Sequence, residues 1–140
     1  MRSFLLVVTV VAATLGIGFA EKGSKIRKTN GVAVAFFDEQ RLRNPEGQVM
    51  LENFEYFLTL NRETVKRDFP DIEFRILRRG ELVRLPDGTG LNVDTIQPKL
   101  GYVLAARGKK RRVLSGLQSD VDFACAAAAF FKRSSPVCPR

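Results

Sequence analysis

Six consecutive apolar residues, Val32-Ala33-Val34-Ala35-Phe36-Phe37, constrain this chain more than any other feature. A strand with one wet face alternates apolar and polar side chains, so a strand without polar positions must be covered on both faces. The run predicts a central strand, and a central strand needs packed layers above and below its sheet.

The segments that follow can supply those layers. Asn44-Pro45-Glu46 reads as a helix start, with asparagine at the N-cap, proline at the first helical position and an acid in the first turn. Met50, Phe54, Phe57, Leu58 and Val65 then share one face at helical spacing. Gly47 costs this helix about 1 kcal/mol relative to alanine. Asn61 marks a break or a second short helix, and Phe69-Pro70 ends the segment, because the residue before proline resists the α conformation. Ile72, Phe74 and Ile76 alternate with Glu73, Arg75 and Leu77 as in a strand. Pro86-Asp87-Gly88-Thr89-Gly90 is a strong turn and supports a small hairpin between 82–85 and 91–93. Residues 99–106 and 111–115 read as two strands joined by the turn Arg107-Gly108-Lys109-Lys110 and closed by Gly116. Ser119 or Asp120 caps a last helix that runs to about Lys132. Its apolar face carries Val121, Ala124, Cys125, Ala128 and Phe131, with Phe123, Ala127 and Phe130 nearby, so the helix must be largely buried. The expected fold is α/β: a β-α-β…β-β-α sandwich with a mixed sheet, its helices covering both faces.

The two ends of the chain say where it works. Residues 1–20 read as a cleavable secretory signal peptide. Arg2 provides the positive charge, 4–16 is apolar apart from Thr9 and Thr14, and Gly18-Phe19-Ala20 places small residues where a signal peptidase reads. The apolar run falls short of the roughly 20 residues of a bilayer span, although an uncleaved anchor is the alternative. Residues 21–30 then form a polar, basic, flexible mature N-terminus, 31–133 the domain, and 134–140 a tail. The expected location is periplasmic or extracellular, with no membrane span after cleavage. Loss of Arg2 with the leader lowers the formal charge from +8 to +7. That charge favours loose association with anionic surfaces.

Cys125 and Cys138 are the two cysteines. In an oxidising compartment such a pair usually bonds, and closing a loop near 15 residues contributes roughly 3 kcal/mol. The bond would pin the proline-containing tail to the last helix. The alternatives are a redox-active pair, from which the spacing is far removed, and a Cys125 that points into the core out of the tail's reach.

Histidine is absent, which removes Ser-His-Asp and Cys-His nucleophile activation and the commonest metal ligand. The acid pairs Asp38 with Glu39 and Asp68 with Asp71 read as solvated surface without metal-ligand spacing. Asp87-Gly88-Thr89-Gly90 lacks the lysine-bearing P-loop pattern and is a turn. The densest charge cluster includes Lys109, Lys110, Arg111 and Arg112, a candidate anion patch that Arg75, Arg78, Arg79 and Arg84 would extend if they share a face. No aromatic side chains interleave it, so specific nucleic-acid binding is not expected. No cofactor or metal is implied.

The order of elements resembles the thioredoxin fold reduced to its minimal core. Three details over 31–133 carry the resemblance: the strand 32–37 leading through a short loop into a long helix, Pro98 immediately before the first strand of the second hairpin, and that hairpin followed by a closing helix. The resemblance implies a cis-proline at Pro98. It also puts Arg41-Leu42-Arg43-Asn44 where the family carries C-x-x-C, and no cysteine precedes Cys125. Thiol-disulfide exchange needs an attacking thiolate, so the family's chemistry does not carry over.

The expected function is that of a redox-inactive, exported thioredoxin-like module that binds a protein or peptide. Arg41, Asn44, Gln97 and Pro98 would form its groove, with Arg41 and Asn44 offering hydrogen bonds. The alternatives are an oxidoreductase acting through Cys125 and Cys138, and a basic protein docking on anionic polymer or membrane through Lys109, Lys110, Arg111 and Arg112.

Overall fold

The computed structural model describes residues 30–138; the expected signal peptide and nearly all of the expected flexible N-terminus lie outside these. Strand β1 (Gly31–Phe37) is buried at every position. Helix α1 (Pro45–Asp68) follows, then β2 (Ile72–Leu77), the two-residue strands β3 (Val83–Arg84) and β4 (Gly90–Leu91), a 3-10 turn at Val93–Thr95, β5 (Leu100–Ala105), β6 (Arg112–Ser115) and α2 (Asp120–Phe131). The main sheet has the order β2-β1-β5-β6. β1 pairs parallel to β2 and antiparallel to β5, and β5 pairs antiparallel to β6. The domain is mixed α/β, with two helices on a mixed four-stranded sheet.

Local chemistry sets the helix starts. The Asn44 side chain accepts from the Gly47 N–H at 2.6 Å, and Ser119 accepts from the Asp122 N–H at 3.1 Å; each offsets an orphan donor of a first turn. Gly47 is a requirement at its position, beyond any propensity cost. A Cβ there would lie 2.5 Å from the Leu42 carbonyl oxygen, because the loop 38–44 lies directly against the first turn of α1.

Asn61 does not break α1. It is fully buried and donates to the Tyr102 hydroxyl at 2.8 Å and to the Gln118 carbonyl at 3.0 Å. Burial pushes the Tyr102 pKa up to about 12, and the Asn61 hydrogen bond only partly opposes this. The buried stripe of α1 is Phe54, Leu58, Asn61, Thr64 and Val65, while Met50 is exposed. In α2 the stripe is Phe123, Ala124, Ala127, Phe130 and Phe131. Val121, expected on that face, is exposed.

The pleat sorts the sheet into two faces. Ala33, Ala35 and Phe37 of β1 and Leu100, Tyr102 and Leu104 of β5 join both helices in one core. The expectation of helices on both faces is therefore corrected: α1 and α2 lie side by side on one. Val32, Val34, Phe36, Val103 and Ala105 face the other way and meet Leu77, Val83, Leu85, Leu91, Val93 and Ile96. The second face is thus covered by the segment 77–96, a short hairpin and one 3-10 turn. This cover leaves sheet surface open on either side, beside β2 and beside β6. Gly101 makes the β5–β6 pairing possible: it takes φ +151°, and a Cβ would lie 2.1 Å from the Leu114 carbonyl oxygen.

At the C-terminus Cys125 and Cys138 form a disulfide, with Cα atoms 4.9 Å apart. The tail is further held by Ser135, which donates to Asp68 at 3.0 Å, and by Arg133, which donates to Asp71. Asn30, expected to be flexible, donates its backbone N–H to the Asp71 carbonyl at 3.1 Å. Asp68 and Asp71 are therefore paired anchors of the tail. Hydrogen bonds from Arg67 and Ser135 hold the Asp68 carboxyl below its ordinary range against the effect of burial, and those from Arg133 and Asn30 do the same for Asp71.

Candidate functional site

The loop 38–44 and the segment 95–98 do meet where β1 ends, and one side chain joins them. Arg41 donates Nη1 to the Gln97 carbonyl at 2.9 Å, and Nη2 to the carbonyls of Ile96 at 3.1 Å and Pro98 at 3.2 Å. Its Nε donates to Asp38 at 2.7 Å. The Asp38 side chain also accepts from the Gln40 N–H at 3.0 Å and from Arg79, whose Nη1 reaches Asp94 as well at 3.0 Å. Asp38 is 1% exposed, against the expectation of a solvated acid. Burial alone would raise its pKa, but the hydrogen bonds from Arg41 and Gln40 and the charge of Arg79 outweigh it and hold the carboxyl below its ordinary range.

This arrangement assigns different work to the expected groove residues. Arg41 is spent on three carbonyls and a carboxylate, and Asn44 on the cap of α1. Every peptide bond among the described residues is trans, including the one before Pro98, so the cis-proline implied by the resemblance does not occur. Gln97 and Pro98 line a cleft of about 400 Å³ on the second sheet face, beside β6. Its apolar walls are Leu91, Ile96, Val103 and Val113. Val113 stays 42% exposed there because the 77–96 cover stops short of the edge strand. β6 is the last strand in the sheet order, so its outer edge has no strand partner among the described residues.

The basic run does not gather on one surface. Lys109 lies over the Phe130 ring at 4.6 Å and donates to the Phe130 carbonyl. Arg111 reaches the opposite side of the sheet and donates to Thr89 at 2.8 Å, while Lys110 and Arg112 are exposed. Arg78 stacks on Phe37 at 5.5 Å, while Arg75 pairs with Glu73 at 3.0 Å.

Asp38, Asp94 and Val113 were missed as site residues, and Arg79 was expected in the anion patch and not as a partner of Asp38. A signal existed for Asp38, since an acid that follows a strand buried on both faces starts in the core and needs cationic partners. Nothing local marks Arg79 or Asp94 as those partners. Among the described residues no group of three or more His, Cys, Asp or Glu side chains is placed to hold a metal ion, and no helix is long and apolar enough to cross a membrane. No protein-family model, curated protein or solved structure matches this chain.

Proposed function

We propose that the chain is a thioredoxin-like domain without thiol chemistry, exported from the cytoplasm, that binds an extended peptide along β6. The fold reading is supported by the parallel β1–α1–β2 crossover, the antiparallel β5–β6 hairpin beside β1, and the return of α2 to the face that α1 occupies. Export is supported by the apolar leader in the sequence and by a disulfide of the kind oxidising compartments sustain. At the end of β1, where the family carries its cysteines, this chain has an Asp38–Arg41 clamp.

The single observation that carries the binding reading is the apolar cleft beside an unpaired strand edge. An edge offers main-chain donors and acceptors to an added strand, and a neighbouring pocket takes alternate side chains of that strand. Val113, Ile96 and Pro98 give this pocket an aliphatic lining; Arg112 adds an exposed positive charge on the edge strand, and Arg111, 3.9 Å from Asp87, a partly balanced one. The peptide class expected is therefore extended, aliphatic at one anchor position and acidic beside it.

Selection from a displayed peptide library tests this. Enriched sequences should share an aliphatic anchor, and their binding should weaken at least tenfold in Val113→Glu, an exposed position that tolerates charge. Enriched peptides that bind Val113→Glu and the native protein alike would overturn the groove.

A further inference from the structure

The narrow cover of the second face leaves a different opening where β1 begins. This cleft, about 470 Å³, has Arg75, Arg84 and Arg107 in its lining beside one acid, Glu73. Three arginines thus line one opening from β2, from the first hairpin and from the β5–β6 turn, positions up to 32 residues apart in the numbering of a 140-residue chain. We infer that this cleft is a binding site for a small organic ester of phosphate or sulfate.

The charge balance of the cleft sets it apart from the other arginine clusters of the molecule. Arg41 and Arg79 are neutralised by Asp38 and Asp94, Arg67 by Asp68, and Arg133 by Asp71. Within the cleft the one acid, Glu73, pairs with Arg75 at 3.0 Å. Arg84 donates to the Gly88 carbonyl at 3.0 Å, and among the described residues neither it nor Arg107 has a carboxylate within ion-pair distance. Two arginines without a carboxylate partner therefore line one opening.

Planar guanidinium forks match tetrahedral oxyanions bidentately, and charge-assisted bonds of this kind are roughly twice as strong as neutral ones. The rest of the lining is the polar Asn30 and an apolar wall of buried Val32 and Leu85 and the ring of Pro86. An oxyanion against the arginines and a compact organic body against that wall fit both halves of the lining, and the volume lies in the range of small-molecule sites. The site is separate from the β6 groove and does not depend on it.

Titration calorimetry at low salt with glucose 6-phosphate and glucose 6-sulfate tests the inference, and the ratio of the two affinities assigns the oxyanion. Arg84→Gln and Arg107→Gln should each weaken binding at least tenfold, whereas Lys110→Gln, an equally exposed cation outside the cleft, should leave it unchanged. Glu73→Gln should tighten it several-fold by removing the one opposing charge. Equal losses in Lys110→Gln and Arg107→Gln would reduce the effect to net charge and overturn the site, as would no measurable heat with either ester at millimolar concentration.

Discussion

Replacing Asp38 with asparagine keeps the side chain's shape and removes its charge, at a buried acid that fastens the loop after β1 to Arg79. The carboxylate is 1% exposed and accepts from two backbone N–H groups, from Arg41 Nε and from Arg79. A hydrogen bond to a charged group contributes about 1.5–3 kcal/mol, and removing one partner of a fully buried ion pair costs about 3–5 kcal/mol. Here the two arginine side chains keep 38% and 40% of their accessibility. Their charges regain water when Asp38 is neutralised, which brings the expected loss down to about 2–3 kcal/mol. Urea unfolding at pH 7 should show it as a midpoint lower by about 1–2 M at unchanged slope.

The pH dependence of that loss is a second reading of the same contact. The folded pKa of Asp38 lies below its ordinary value, so the ionised form stabilises the native state. That contribution is fully present above the unfolded pKa, near 3.9, and is lost as pH falls through the lower folded value. The native-minus-variant difference should be flat from pH 7 to about 5 and shrink below about 4. A difference under about 0.5 kcal/mol at pH 7, or one that stays constant well below pH 3, would refute the argument. Because Arg41 holds the carbonyls of 96–98, the variant should also lose peptide affinity in the β6 groove.

Two further perturbations probe the frame. The Cys125→Ser/Cys138→Ser double variant frees a cross-link that spans 13 residues in sequence; the chain-entropy model predicts a loss of about 3 kcal/mol, read as a fall in Tm on the order of 10 °C. A shift of under 2 °C would mean that Ser135 and Arg133 hold the tail without it. Gly101→Ala drives a Cβ into the Leu114 carbonyl at a backbone angle that L residues avoid. It should cost about 2–4 kcal/mol and speed amide exchange in β6; exchange unchanged at Leu114 would refute the role given to Gly101.

What the sequence alone determined here is what a short window contains. A run of six residues without a polar position is enough to make β1 central. Asn44-Pro45-Glu46 and Ser119-Asp120 start helices because a cap satisfies its own first turn, and the alternation of 72–77 sets which side chains share a face of β2. The Cys125–Cys138 pair was legible for the same reason, since the tail is too short to reach far. Only the tertiary structure decided the rest, because the deciding partner lies tens of residues away. Asp38 looked like a surface acid until Arg79 and the 96–98 carbonyls came to it, and Asn61 looked like a helix break until Tyr102 and the Gln118 carbonyl gave its amide partners. Both helices share one face because the β1–α1–β2 crossover and the chain leaving β6 each return to the same side. The apolar residues of 77–96 then had to cover the other. That cover is too narrow for the sheet it shields, and the openings at its two margins, one aliphatic and one lined by arginine, exist only because strands separated in sequence lie side by side.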